Sequence, residues 1–289
     1  MKNSLNKIMI FLLPLLVAIV FMGCAKKPLE YADTVDNTLD YKGRMLFSYG
    51  VTTAGRIADA DIENCITVPD VIGMKIEKEH YTFPASTIDA YVDALLSKYT
   101  YRNEAGEDVV ATCTDEVIEK YFPEYKTAKK FKAAKQAELE NKALVQYIKN
   151  FLIENSVLNS YSQDYYDKKI EAYDNQYTYQ YEFYNNLYQS AEGIPLYESI
   201  YDYYSVSPEE YQENLEKSVI DDLKLALACQ KIAYENRITV DEDDVASYLL
   251  SEGHETASAN TLKSSYGYPY FAQLALQDKV IRLIIDKKK

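Results

Sequence analysis

Between Gln163 and Gln189 the residues Ile170, Tyr173, Tyr177, Tyr181, Tyr184 and Tyr188 recur at intervals of 3, 4, 4, 3 and 4. An α-helix of 3.6 residues per turn puts side chains at that spacing on one face, so the stretch is predicted to be a helix carrying an aromatic stripe. Tyr179, Phe183 and Leu187 form a second strip on the same helix, and one neighbouring element cannot cover both. The chain has 29 tyrosines against nine phenylalanines and no tryptophan, and 14 of the 29 lie between Tyr161 and Tyr211. A phenol joins a large apolar ring to a polar tip, which suits a half-wet recognition surface better than a dry core.

Helical signals continue on both sides of this stretch. Thr127 is the expected cap of the longest helix, running to about Asn155, with Ala134, Ala137, Leu144, Ile148 and Phe151 on one face. Gly193 and Pro195 break the chain after the tyrosine stripe. Ser207-Pro208-Glu209-Glu210 combines an N-cap serine, proline at N1 and glutamate at N3, together worth on the order of 1 kcal/mol. The helix it opens runs to about Asn236 with Tyr211, Leu215, Val219, Leu223, Ala226 and Cys229 as its stripe. Two more helices are predicted, from Asp241 and from Pro269 to the end, where Lys287 to Lys289 complement the helix dipole.

Ahead of Thr127 the pattern is mixed. Val71 to Lys78 reads as a short strand, and Ser86, with Asp89 at N3, as the cap of a helix ending near Lys98. Tyr101 to Gly106 is a turn, Val109 to Ala111 a second short strand, and Thr114 or Asp115 caps a helix ending before Pro123. The fold class is therefore mainly α, helical hairpin arms and a bundle, with a small α/β element on the N-terminal side.

The first residues place Lys2 and Lys7 before an uncharged apolar run from Ile8 to Met22, the layout of an export signal. The run contains Pro14 and is shorter than the about 20 residues a membrane span requires, so cleavage is expected. Phe21-Met22-Gly23-Cys24 resembles the bacterial lipobox, in which a small residue precedes a lipidated cysteine; Gly23 and Cys24 fit, and Phe21 stands where leucine is usual. The resemblance implies a diacylglyceryl group on Cys24 and an anchored protein on the outer face of the membrane, since two acyl chains hold stably where one does not. The expected organisation is a signal over 1–23, a tether with a small irregular element over 24–66, a strand-helix element over 67–112 and a helical domain over 113–289.

Removing residues 1–23 leaves 29 basic against 45 acidic residues. Nucleic acid is an unsuitable partner for such a chain, and the surplus of acids is read as a well-solvated exterior. Beyond Cys24 the cysteines are Cys65, Cys113 and Cys229, an odd number without metal-ligand spacing, and Cys229 is expected to be a small buried hydrophobe. His80 and His254 are far apart and expected at the surface, and Asp221-Asp222 and Asp243-Asp244 are expected to cap or solvate. No nucleophile elbow, phosphate loop or metal cluster is present in the sequence, so the expectation is no enzyme, no metal and no cofactor.

Three stretches add a resemblance. Thr114-Asp115-Glu116-Val117 followed by Tyr125-Lys126-Thr127 is similar to the opening of a first long arm, and Ser207-Pro208-Glu209-Glu210-Tyr211 to the start of a central helix. Lys231-Ile232-Ala233-Tyr234-Glu235-Asn236 followed by Ile238 to Val245 is similar to the turn into the next helix. In this order they resemble the C-terminal, substrate-holding domain of trigger factor and the helical part of SurA- and PrsA-type secreted chaperones. Ile76 to Leu96 looks like the lead into trigger factor's prolyl isomerase domain, but only about 15 residues separate Lys98 from Thr114, too few for that domain. The ribosome-docking Gly-Phe-Arg motif has no match. The resemblance thus implies a client-holding part alone, with no isomerase and no ribosome, and a lipid tether in their place.

Two functions follow as expectations. One is an extracytoplasmic holdase that binds unfolded exported polypeptides through Tyr173, Tyr177, Tyr181, Tyr184 and Tyr188. The other is a non-catalytic scaffold or assembly lipoprotein that binds one folded partner. Tyrosines lining an open surface favour the first, and tyrosines packed in a hairpin core favour the second.

Overall fold

Helix boundaries follow the caps. In the computed structural model, which describes residues 62–102, 106–161, 163–254 and 268–288, the chain is mainly helical with two small antiparallel sheets. The signal segment, Cys24 and the tether as far as residue 61 lie outside the described residues. A helical turn α1 (Ile62–Cys65) leads into β1 (Ile66–Thr67), followed by a 3-10 turn at Lys78–His80, α2 (Ala85–Leu96), β2 (Thr100–Arg102) and β3 (Asp108–Val110). Then come α3 (Asp115–Tyr121), α4 (Ala128–Asn155), β4 (Val157–Leu158), α5 (Gln163–Glu192), α6 (Ile200–Tyr204), α7 (Pro208–Asn236), α8 (Glu242–Ser251) and α9 (Tyr268–Lys287).

Thr114, Thr127, Ser207 and Asp241 each accept a backbone N–H from their own first turn, and Ser207 and Asp241 complete reciprocal capping boxes with Glu210 and Asp244. Gly193, with φ +81°, ends α5 by donating its N–H to the Gln189 carbonyl, a backbone region that glycine enters without a Cβ penalty.

α7 is the central helix. Its buried side chains include Leu215, Val219 and Leu223 along one stripe and then Ala226 to Gln230 without interruption, so its C-terminal half is enclosed on several sides. Around it pack Leu144, Ile148 and Leu152 of α4, Val245 and Leu249 of α8, and Phe271, Leu276, Val280 and Ile284 of α9. Ile62 and Ile66 join this core from the N-terminal side, and β1 pairs with β4 at Ile66–Leu158 and Thr67–Val157, stitching the start of the described chain to the end of α4. No helix among the described residues is long and apolar enough to cross a membrane.

A second, smaller core holds Ile88, Val92 and Leu96 of α2, Val117 and Ile118 of α3, Ala111, and Phe131 from the first turn of α4. The β2–β3 hairpin, paired from Thr100–Val110 to Arg102–Asp108, lies in this lobe. The expected boundary at 112/113 runs through it, because α3 and the start of α4 share its core with α2.

Two local expectations are corrected. Val71 to Lys78 is not a strand: Met74 donates to the Val71 carbonyl, Gly73 takes φ +78°, and the turn lets Val71 and Ile76 bury separately in the main core instead of lining one face. Ser86 is not the cap of α2, which starts at Ala85 with Pro84 at the N-cap position and no side-chain cap bond. Extended backbone at Pro84, ψ 152°, starts the turn without a polar side chain.

Candidate functional site

α5 runs antiparallel to α7, and their polar contacts fix the register. The buried Lys169 ammonium lies 3.2 Å from Asp222 Oδ2, and the Tyr173 hydroxyl donates to the same oxygen at 2.6 Å. Nearer the start of α7, the Tyr211 hydroxyl donates to Asp174 Oδ1 at 2.8 Å, and the Tyr211 ring meets Tyr177 edge-on at 6.2 Å. Asp222 is thus a buttress between two helices, where adjacency to Asp221 had suggested solvation; Asp221 itself pairs with Lys217 one turn back. Asp244 does cap, and it also holds Lys279 of α9 at 2.7 Å.

Beyond Tyr177 the partner helix has run out, since α7 begins at Pro208, and the rest of α5 is fastened by α6 and the loop before it. Tyr203 of α6 stacks on Tyr184 at 5.9 Å and touches Tyr181 at 6.2 Å, while Tyr204 packs on Tyr177 at 5.4 Å. The Tyr204 hydroxyl donates to buried Gln180 Oε1 at 3.1 Å. Asn185, also buried, clamps the loop: its amide donates to the Tyr197 carbonyl at 2.8 Å and accepts the Tyr197 N–H at 2.9 Å, satisfying both backbone groups as a strand neighbour would. Burial pushes the Tyr203 phenol up to about 12 and raises those of Tyr204, Tyr211 and Tyr177, because a phenolate loses more hydration than a phenol.

Of the five stripe tyrosines, Tyr173, Tyr177, Tyr181 and Tyr184 are therefore half-buried in this hairpin, and Tyr188 is exposed. The second strip faces outward: Tyr179, Phe183 and Leu187 are exposed by 43%, 37% and 59%. Ile194 and Leu196, in the loop after α5, are exposed as well and extend the apolar character of this end of the molecule. The strip was legible from its spacing; the loop residues were not, because no period marks them.

The other singled-out side chains lie elsewhere. Cys229 is fully buried in the main core, which pushes its thiol up to about 12 and keeps it unreactive. Cys65, Cys113 and Cys229 are free thiols. His80 is exposed and stacks on Tyr147 at 4.4 Å. Among the described residues no group of three or more His, Cys, Asp or Glu side chains is placed to hold a metal ion. What the α5 end offers chemically is contact: aromatic faces, aliphatic side chains and carboxylates on a rigid helical support. No protein-family model matches this chain, and no curated protein matches it.

Proposed function

We propose that this chain is a lipid-anchored extracytoplasmic holdase, tethered through Cys24 to the outer face of the membrane, which binds unfolded exported polypeptides without isomerase activity. The observation that carries the reading is the exposed strip Tyr179, Phe183 and Leu187, held on a helix whose opposite face is fastened by ring contacts and by the Asn185 clamp. A holding surface must offer apolar area without collapsing onto itself, and a strip locked from behind meets that need. The resemblance to the substrate-holding domain of trigger factor points the same way.

The packing of Tyr173, Tyr177, Tyr181 and Tyr184 in the hairpin favours a second reading, a scaffold lipoprotein with one folded partner. The two readings differ in promiscuity. In a light-scattering assay, a stoichiometric amount of residues 25–289, prepared without lipid, is expected to suppress aggregation of several unrelated unfolded clients. The variant Phe183→Ser/Leu187→Ser, with unchanged helix content, is expected to act at least about fivefold more weakly, a loss of roughly 1 kcal/mol in client binding. Suppression of none of the clients by the unaltered chain would move the assignment to the single-partner scaffold.

A further inference from the structure

Tyr201 of α6 and Tyr211 of α7 meet edge-on, with ring centroids 5.5 Å apart and ring planes at 82°. The turn that joins their helices is held by local bonds. Ser205 takes φ 55° and donates its N–H to the Asp202 carbonyl, Val206 donates to the Tyr201 carbonyl at 3.0 Å, and Ser207 closes the capping box with Glu210. The two phenols are thus brought together by the backbone, which places them for reaction with each other.

Access and proton transfer single out this pair. Tyr201 is exposed by 37% and Tyr211 is half-buried, so an oxidant in solution reaches Tyr201 directly. The Tyr211 hydroxyl donates to Asp174 Oδ1 at 2.8 Å. A phenol gives up an electron most readily when its proton passes to a base at the same moment, because the alternative is a strongly acidic radical cation. Asp174 is exposed and hands that proton on to water, and it lies in the stretch from Ile170 to Glu216, which has ten acidic residues and no Lys, Arg or His. Neighbouring negative charge favours uptake of a proton. Tyr173 also donates to a carboxylate, but Asp222 is already met by the Lys169 ammonium at 3.2 Å and is the weaker proton acceptor. Tyr211 touches Tyr177 and Tyr204 at 6.2 Å each, and Tyr204 touches Tyr203 at 4.7 Å, so a vacancy left on any of these rings reaches the one beside Asp174 through ring contacts.

We propose that Tyr201 and Tyr211 form an oxidative cross-linking site, at which one-electron oxidants of the peroxyl-radical class join α6 to α7 by a dityrosine bond. Two oxidant molecules take one electron each. Tyr211 gives its proton to Asp174 and Tyr201 gives its own to water, which leaves two phenoxyl radicals in contact. One ortho carbon of each ring joins the other in a carbon–carbon bond, and the two ortho hydrogens move as protons, by way of water, to restore both hydroxyls. The chain loses two electrons and two protons, and each peroxyl radical is reduced to a hydroperoxide. The bond fastens α6, whose Tyr203 and Tyr204 hold α5, to the start of the central helix. This inference does not depend on the holding function proposed above.

The test treats the full chain in detergent solution with limiting tris(bipyridine)ruthenium(III), a one-electron oxidant, and follows dityrosine fluorescence in the monomer fraction with peptide mapping by mass spectrometry. The expected product links the peptides of Tyr201 and Tyr211 and is lighter than their sum by two hydrogen atoms. Tyr201→Phe and Tyr211→Phe, each with unchanged helical circular dichroism, lose it. Asp174→Asn forms it at least about threefold more slowly, because an amide cannot take the proton. A main cross-link at another pair, such as Tyr161–Tyr166, or dityrosine between chains only, overturns the proposal. So does an undiminished product in either Phe variant, an unchanged rate in Asp174→Asn, or oxidation without dityrosine.

Discussion

Phe131→Ala is expected to unfold the small lobe while leaving the main core folded. Phe131 is completely buried, and among the seven buried residues of that lobe it is the one α4 supplies. Its ring packs on Phe122 at 4.8 Å and on Tyr125 at 5.3 Å, so it joins α4 to the turn that follows α3. Truncating a buried phenylalanine removes its transfer free energy and leaves a cavity, typically about 3–5 kcal/mol together. A core with seven buried side chains among the described residues has little reserve against such a loss, because whole domains are stable by only about 5–15 kcal/mol. Hydrogen exchange would then show amides of α2, α3 and the β2–β3 hairpin unprotected, with those of α7 and α9 still slow. One cooperative transition, shifted by less than about 1 kcal/mol, would contradict this account of the lobe.

Alkaline pH is expected to open the tyrosine hairpin before the rest of the molecule. Burial raises the phenols of Tyr203, Tyr204, Tyr211 and Tyr177 above the usual tyrosine value of about 10, and Tyr211 is held further in its neutral form by donating to Asp174. For an acid with a raised folded pKa, the unfolded chain releases its proton first. The contribution to stability is therefore complete below about pH 10 and is lost as pH rises toward the folded values, a window from about 10 to about 12 for Tyr203. Tyrosinates formed there also join a stretch that already carries ten acids and no base. Absorbance at 295 nm should show tyrosine ionisation that continues above the usual value of about 10, its last part accompanied by partial loss of helical circular dichroism. Ionisation of every tyrosine in one step near pH 10, with helix content unchanged, would contradict the packing of the hairpin.

The helices were legible because their start signals are local. Ser207-Pro208-Glu209-Glu210 and Thr127 fix two of the longest helices within a residue of the sequence reading, and the 3-4 spacing of tyrosines fixes a third. Val71 to Lys78 misled because alternation in a short segment does not show whether a strand has a partner; here Gly73 turns the chain and the apolar residues bury separately. The β1–β4 pairing was not legible, since each strand has two residues and they are separated by the whole small lobe and α4. At the site, the periodicity gave both strips of α5 but not which one is covered. That is decided by α6 and by Tyr197, Tyr203 and Tyr204, whose contacts with Asn185, Tyr184 and Tyr177 are tertiary and leave no periodic trace. Asp222 shows the same limit: one member of an acid pair expected to cap or solvate proves to bridge two helices once Lys169 and Tyr173 are brought beside it.

The outward strip of α5 is the surface proposed to hold unfolded polypeptide. Photocrosslinking addresses it directly, with benzoylphenylalanine replacing Leu187 on the strip or, as a control, Leu250 on α8; the two leucines are exposed by 59% and 58%. The reporter at 187 is expected to capture several unrelated polypeptides when they are unfolded and none of them when native, with little capture from 250. Capture of no unfolded client from 187, or equal capture from both positions, would contradict a holding surface on this helix.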